Sequence, residues 1–590
     1  MKSNFTKQIS IILLFFITFF IFSCKTVEVA NETTNSNNFL SLNSKIVLDS
    51  SQSEIKKERP NTVTSKIITK EDLTTLYWSE NKEELNPKYS SRTESLDNIF
   101  NPDALGQIVL VFDRSEWNKH LDYCDININH EENVVAKGFY FTKDNKEWFF
   151  KDIGFRVRGN TSRRRPQKGN GMKKNDYVQS HFALDFEEWL TDEQEESGVE
   201  KKLADCMKGV ILKRFKDDAT YSREIYSYNL FRQNGIWLSP RASYTRLIIQ
   251  IQDDLDLDKD GDTTEFESID YGIYGMIEEI KKQFLKERTL KEGGGYLSSN
   301  KGNLWKCLYK AGSGTDFVLA NIDSMGEESC KPVKNKKGKI VDFSINNYSY
   351  DYKGDNEFLD GTNQIKGFMY ELNNLPNCND GKNDEENKLV VKKFYTQRMS
   401  GDLFLRTYAI NVILGMWDDY WVNKNNFYFY FDKDGKAYFI PYDYDNVLGV
   451  SHLGIDAGKQ NPINWGSLNS RNRPLIQKIL QVPEFMDLYK KYLIEYSNED
   501  SFFDDDNSIA QIKKWHSMIE PFINSSNLIY RDTTDKFIDK PADWGDTYKP
   551  YTVYTEGKLN YFTVRQETIQ NLNFKFDVLD FWVYNITDCI

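Results

Sequence analysis

Two short runs of aromatic and aliphatic residues, Phe427 to Phe431 and Ala437 to Tyr442, flank Asp434-Gly435. This alternation around a turn dipeptide predicts a β-hairpin. A hairpin returns the chain to its starting end, so it gathers whatever lies on its two sides into one small volume. Before it stands Trp417-Asp418-Asp419-Tyr420-Trp421-Val422-Asn423-Lys424-Asn425-Asn426. After it stands Ile440-Pro441-Tyr442-Asp443-Tyr444-Asp445. Each acid alone could be a turn former or a helix end, and each asparagine a turn residue. Together they supply oxygen-only ligands of the kind that suits Mg2+ or Mn2+.

Phosphoryl transfer from a nucleotide needs such a set. One carboxylate orients or accepts the proton of the attacking hydroxyl, while a second carboxylate and an amide oxygen hold the metal that neutralises the phosphates. Protein kinases space the first carboxylate and the amide five apart and bring the metal carboxylate from beyond a short hairpin. Asp418 and Asn423 have that spacing. Asp418 is therefore the candidate catalytic residue, and Asn423, Asp443 and Asp445 are candidate metal ligands. Asp419 with Asn425 is the alternative pair.

The remainder of the chain reads as α+β. Strands are expected at Gln107 to Phe112, at Phe139 to Phe141 and Trp148 to Phe150 as a hairpin, at Phe155 to Arg158 paired with Phe182 to Phe186, and at Val210 to Lys213. Helices are expected from Ser115, over Thr220 to Asn234 before Gly235, and over the apolar Leu403 to Met416. Strands first and helices later suggest two lobes, a mixed or antiparallel sheet lobe and a mainly helical one. The expected lobes run over 104–310 and 311–590, within a folded region of 76–590. Hydrophobic residues at 39% and aromatics at 14% are enough for a large core.

Lys2 and Lys7 precede an apolar run from Ile9 to Phe22, followed by Ser23-Cys24. This resembles a bacterial lipoprotein signal over 1–24, with Cys24 as the lipidated residue. The polar stretch 25–75 reads as a solvated tether. The expected location is the cell envelope, with lipid attachment on the periplasmic or outer surface. No later segment reaches the ~20 apolar residues of a membrane helix. A net charge of -13 argues against a nucleic-acid partner. Of seven cysteines, six remain if Cys24 is lipidated, which permits up to three disulfides. No Cys-x-x-Cys pair occurs, and His120, His130, His181, His452 and His516 show no metal-ligand spacing. No Gly-x-Ser-x-Gly elbow supports a hydrolase.

Asp256-Leu257-Asp258-Lys259-Asp260-Gly261-Asp262-Thr263-Thr264-Glu265-Phe266-Glu267 matches the twelve-residue calcium loop, with Gly261 at the sixth place. Its flanks read as strands, so the expectation is a hairpin tip clamped by Ca2+ through Asp256, Asp258, Asp260, Asp262 and Glu267. The bland alternative is an acidic surface loop.

Phe155-Arg156-Val157-Arg158-Gly159-Asn160-Thr161-Ser162 is similar to the Arg-Gly-Asn-Ser-Ser signature of the spore-coat CotH kinase family. So are Asp218-Ala219-Thr220-Tyr221-Ser222-Arg223-Glu224, Tyr271 to Glu278, Gly302-Asn303-Leu304-Trp305-Lys306 and the two acidic stretches around the hairpin. The resemblance covers roughly Ala104 to Gly449 in the family's order. It implies an atypical, secreted, kinase-like fold that phosphorylates protein serines with ATP and a divalent metal. It implies catalysis by Asp418, metal binding by Asn423 and Asp443, and a nucleotide-facing place for Glu278. Many members carry a lysine where this chain has Gln179-Ser180-His181, so either the phosphate-binding cation comes from elsewhere, with Lys213 and Lys306 as candidates, or the site is weakened. Arg158, Gly159 and Asn160 would cover the phosphates, glycine letting backbone N–H groups approach the anion. The expected partner is a protein with a serine or threonine acceptor. The alternatives are a catalytically weak or inactive surface scaffold or adhesin of the same fold, and a metal-dependent glycosyltransferase using Asp443-Tyr444-Asp445.

Overall fold

A computed structural model of the chain describes residues 71–160, 162–169, 176–216, 218, 220–253, 265–292, 295–310, 314–322, 324–327, 329–379, 381–449, 456–523, 529–530 and 560–574. The chain divides into two compact units, Met1–Asn61 and Thr62–Ile590, and the first lies wholly outside the described residues. The expected signal, Cys24, His452 and Asp256 to Asp262 also fall outside them.

Strands β1 (Gly106–Asp113), β2 (Val134–Lys143), β3 (Lys146–Arg158), β4 (Tyr177–Val178), β5 (His181–Asp185), β6 (Gly209–Lys213), β7 (Ala242–Gln252) and β8 (Phe266–Glu278) fill the first half. All except β4 close a barrel in the order β1-β2-β3-β5-β6-β8-β7. The β1–β7 seam is parallel, and the other pairings are antiparallel. Successive side chains of a strand point to opposite faces. Ile108, Leu110 and Phe112 of β1 point inward to Phe139, Phe155, Phe182 and Leu247, whereas Val109 and Val111 lie under Leu76, Tyr77 and Trp78. Both faces are dry, which is why β1 reads as a continuous apolar run. The expected mixed sheet is present, with its parallel pair at the β1–β7 seam, but it closes into a barrel with no free edge instead of forming the expected kinase-like lobe.

The second half is built on β9 (Asn303–Cys307), β10 (Met325–Gly326), β11 (Cys330–Lys334), β12 (Ile340–Ile345), β13 (Tyr350–Tyr352), β14 (Phe427–Phe431) and β15 (Ala437–Pro441). One sheet runs β10-β13-β9-β14-β15, and β11–β12 form a separate hairpin. The β14–β15 hairpin forms as the sequence predicts, with Phe427 opposite Pro441 and Phe429 opposite Phe439. The Gly401–Leu414 helix is buried at 12 of its 14 residues, so it has no solvent face to read as amphipathic. It ends at Leu414, two residues before the predicted end, where Gly415 takes the left-handed region at φ 72. The Arg223–Gln233 helix lies within the predicted 220–234. Among the described residues Cys124, Cys206, Cys307 and Cys330 are free thiols, so the full set of three disulfides that the cysteine count permits is not reached. Among the described residues no helix is long and apolar enough to cross a membrane.

Candidate active site

Strands β3 and β6 end on the side of the barrel that meets the second sheet. Lys213 is the last residue of β6, and its side chain is only 9% exposed. Its ammonium lies 2.6 Å from Glu224 Oε2, contacts Asp443 Oδ1 and lies 3.6 Å from Asp445 Oδ2. Oxygens of Glu224, Asp443 and Asp445 fall within 4.8 Å of one another. Asp443 and Asp445 remain partly exposed, at 32% and 26%.

The Asp218 turn aims Glu224. The Asp218 carboxylate accepts the backbone N–H groups of Thr220, Ser222 and Arg223 at 3.0, 3.1 and 3.0 Å, which sets the start of the Arg223–Gln233 helix. Arg223 pairs with Asp218 at 2.6 Å and donates to the Val447 carbonyl at 3.0 Å. The helix start is thereby tied to the stretch after β15. Tyr228 completes the link, since its hydroxyl donates to Glu224 at 3.2 Å and accepts the Asp443 N–H at 2.9 Å. Asp443 itself sits at φ 64, a conformation that few residues adopt but Asn and Asp tolerate.

Asp418 accepts the side-chain amides of Asn423, Asn425 and Asn426 at 2.5, 3.2 and 3.0 Å. Asp419 is buried and serves its own loop. It accepts the N–H groups of Trp421 and Val422 at 3.0 and 3.1 Å and the Asn411 amide at 2.6 Å. Asn411 also accepts the Tyr444 hydroxyl at 2.9 Å. One amide on the buried helix therefore fixes the segment before the hairpin against the segment after it. Arg158 donates to the Tyr442 hydroxyl at 2.9 Å, and the Lys306 ammonium lies 5.8 Å from the centre of the Tyr442 ring.

The electrostatics follow from this crowding. Burial alone would strip the Lys213 proton, but Asp443 and Glu224 outweigh it and hold the ammonium well above its ordinary value. Burial would likewise raise Asp443, yet Lys213 holds it below the ordinary carboxylate value. Burial pushes Glu224 up even though Lys213 opposes it. Burial and the neighbouring carboxylates lift Asp445 well above its usual value, again against Lys213. Burial and then Asp443 raise Asp418, which its asparagine partners partly offset. Burial pushes Asp419 up to about 7. Burial and then Arg158 bring Lys306 down to about 7. Asp418 and the Asp443–Asp445 pair thus feel one another's charge and share one neighbourhood.

The fold therefore gathers Arg158, Lys213, Lys306, Asp418, Asn423, Asp443 and Asp445. Gly159, at φ 121, begins the loop after β3, and its carbonyl accepts from Arg163 at 2.7 Å; Asn160 is exposed beside it. Glu278 corrects an expectation. It pairs with Val210 at the opposite end of β6 from Lys213, and Arg288 holds it in a buried ion pair at 2.7 Å. Burial would raise its pKa, but Arg288 brings it down to about 2. Glu267 lies on β8 and pairs with Arg114 at 3.1 Å. Gln179 donates to the Tyr271 carbonyl at 2.5 Å, and His181 accepts the Arg214 N–H at 3.1 Å, so both are occupied in the barrel wall. Glu224, part of the Asp218 to Glu224 motif, carries no site role in the sequence reading, yet it stands beside Lys213. Its signal is an acid in the first turn of the helix that follows a strand-terminal lysine.

A cavity of about 740 Å³ lies at the other end of β6, where Asp185, Glu187, Glu188, Glu278, Glu279 and Glu287 outnumber Lys208, Lys281 and Lys282. The acidic excess of that lining disfavours a polyphosphate. Beside Lys213, Glu224 and Asp445 the free space is about 10 Å³, enough for one water.

The family described as CotH kinase protein matches residues 155–555, well over half of the 590 residues. The chain belongs to the CotH kinase family. The match includes every residue gathered around Lys213. No curated protein matches the chain.

Proposed function

We propose that this CotH kinase family member transfers the γ-phosphoryl group of ATP to a serine or threonine hydroxyl of a protein. The observation that carries this reading is the clasp on Lys213. Three carboxylates surround one ammonium, which leaves two negative charges in excess when all are ionised. A divalent cation matches that excess, and the donors are all oxygen, as Mg2+ and Mn2+ prefer. Asp443, Asp445 and Asn423 would hold the metal, which when bound neutralises charge on the phosphates. Kinases use a lysine–glutamate ion pair of this kind to position phosphates. Here Lys213 would turn from Asp443 to the phosphate oxygens and keep Glu224 as its partner. Arg158 and Lys306 add positive charge from β3 and β9. The acceptor hydroxyl attacks the γ-phosphorus, the bond to the bridging oxygen breaks, ADP leaves, and the hydroxyl proton passes to Asp418. Most of the rate comes from positioning and charge neutralisation.

The test is incubation of the full chain with γ-labelled ATP, Mg2+ or Mn2+ and envelope proteins, beside Asp418→Ala. Label on serine or threonine that disappears in the variant supports the reading. Label that survives the substitution removes Asp418 from the mechanism. A scaffold without catalysis is the second reading, favoured by the small space beside Lys213. A scaffold would transfer no label to any protein offered.

Lipid attachment at Cys24 would hold the enzyme on the envelope, and Cys24→Ser would then move the protein from the detergent phase to the aqueous phase. The 256–267 loop would take a structural Ca2+ and order the tip between β7 and β8.

A further inference from the structure

His120 and Cys124 stand four apart in the Arg114–Ile126 helix, which places both on one face. His130 follows in the connection to β2. No Cys-x-x-Cys pattern marks these residues, yet the fold brings their ligand atoms within 4.8 Å of one another, all three buried. Cys124 Sγ lies 3.7 Å from His130 Nε2. In a tetrahedral zinc site, with Zn–S of about 2.3 Å and Zn–N of about 2.0 Å, a sulfur and a nitrogen ligand stand about 3.5 Å apart. The observed pair is close to that edge length.

A second observation points to a ligand. His120 is 0% exposed, and neither of its ring nitrogens has a hydrogen-bond partner. A neutral imidazole carries one donor and one acceptor, and buried polar groups of this kind are rarely left unmet. The rings packed on it, Trp117, His130 and Phe155, do not meet the need. Trp117 gives its N–H to Gln167 at 2.6 Å. A metal ion would take up a nitrogen lone pair of His120 and satisfy the group.

We propose that His120, Cys124 and His130 form a site for Zn2+, separate from the Lys213 cluster. One thiolate and two imidazoles select a borderline-soft transition metal over Mg2+ or Ca2+. Binding replaces the Cys124 thiol proton, which passes to solvent, and the fourth position is left to water. The site would pin the Arg114–Ile126 helix to the connection before β2. It also reaches the loop after β3, because the His130 carbonyl accepts from Arg163, whose Nε donates to the Gly159 carbonyl at 2.7 Å. The metal would therefore brace the loop next to Arg158. The proposal stands whether or not the chain transfers phosphate.

The test uses the full chain, stripped with a chelator and titrated with Co2+. A thiolate-to-cobalt charge-transfer band in the near ultraviolet, saturating at one equivalent and bleached by Zn2+, is expected. Oxygen ligands at the Lys213 cluster give no such band, so Asp443→Asn should leave it unchanged. Cys124→Ser should abolish it, and Cys330→Ser should keep it. If Cys124→Ser does not fold, His130→Gln carries the same test through a shifted or lost band. No band in the wild-type chain, or a band that persists in Cys124→Ser, overturns the proposal.

Discussion

Lys213 has one positive charge to share among three carboxylates, and this shortage decides how the site responds to pH. Glu224 and Asp445 have folded pKa values above their ordinary ones, so the folded chain keeps protons that the unfolded chain has released. A metal must displace those protons, and its affinity rises as pH rises through the elevated values. Calorimetric titration of Mn2+ at several pH values should show binding that tightens as pH rises, with proton release at the lower pH values. Affinity that does not change with pH would place the metal elsewhere. Asp418 follows the same sign. Its pKa is raised, so the acidic limb of the rate profile should lie above the ordinary carboxylate range. Asp418→Asn should lower the turnover number by roughly a hundred- to ten-thousand-fold with little change in KM for ATP. Steady-state kinetics decide this, and a loss confined to KM would contradict a role in the chemical step. That Asp418, Asn423 and Asp443 come together was legible in the sequence because a hairpin carries its own geometry. The place of Glu224 was not, because its partner Lys213 comes from a different element.

At the scale of elements, the Asp218 turn connects barrel and site. Asp218 and Arg223 are both almost wholly buried, with side chains 2% and 1% exposed. Removing one partner of a buried ion pair leaves a charge without compensation and typically costs about 3–5 kcal/mol. Asp218→Ala should therefore lower unfolding stability by about that amount and loosen the aim of Glu224. Denaturant unfolding with a loss under about 1 kcal/mol would show that the turn does not depend on this pair. The individual strands and the buried helix were readable from alternation and apolar content. The closed barrel was not. Alternation assigns the two faces of β1, but nothing in Gly106–Asp113 names β7, more than a hundred residues later, as its parallel neighbour. The β9–β14 pairing that places Lys306 beside Tyr428 was hidden for the same reason.

At the scale of the whole molecule, the candidate site lies where barrel and second sheet meet. Arg158 and Lys213 come from one and Lys306, Tyr442 and Asp443 from the other. A ligand held there stabilises both parts together. The decisive measurement is thermal unfolding of the full chain with and without ATP and Mg2+, beside Asp443→Asn. Asparagine tolerates the left-handed backbone at this position, so the variant should fold. A ligand that binds only the folded state contributes about 2.7 kcal/mol at a hundred times its Kd. The account predicts a rise in the wild-type melting temperature that needs both ATP and metal and is lost in Asp443→Asn. No rise in the wild-type chain, or an equal rise in the variant, would contradict it.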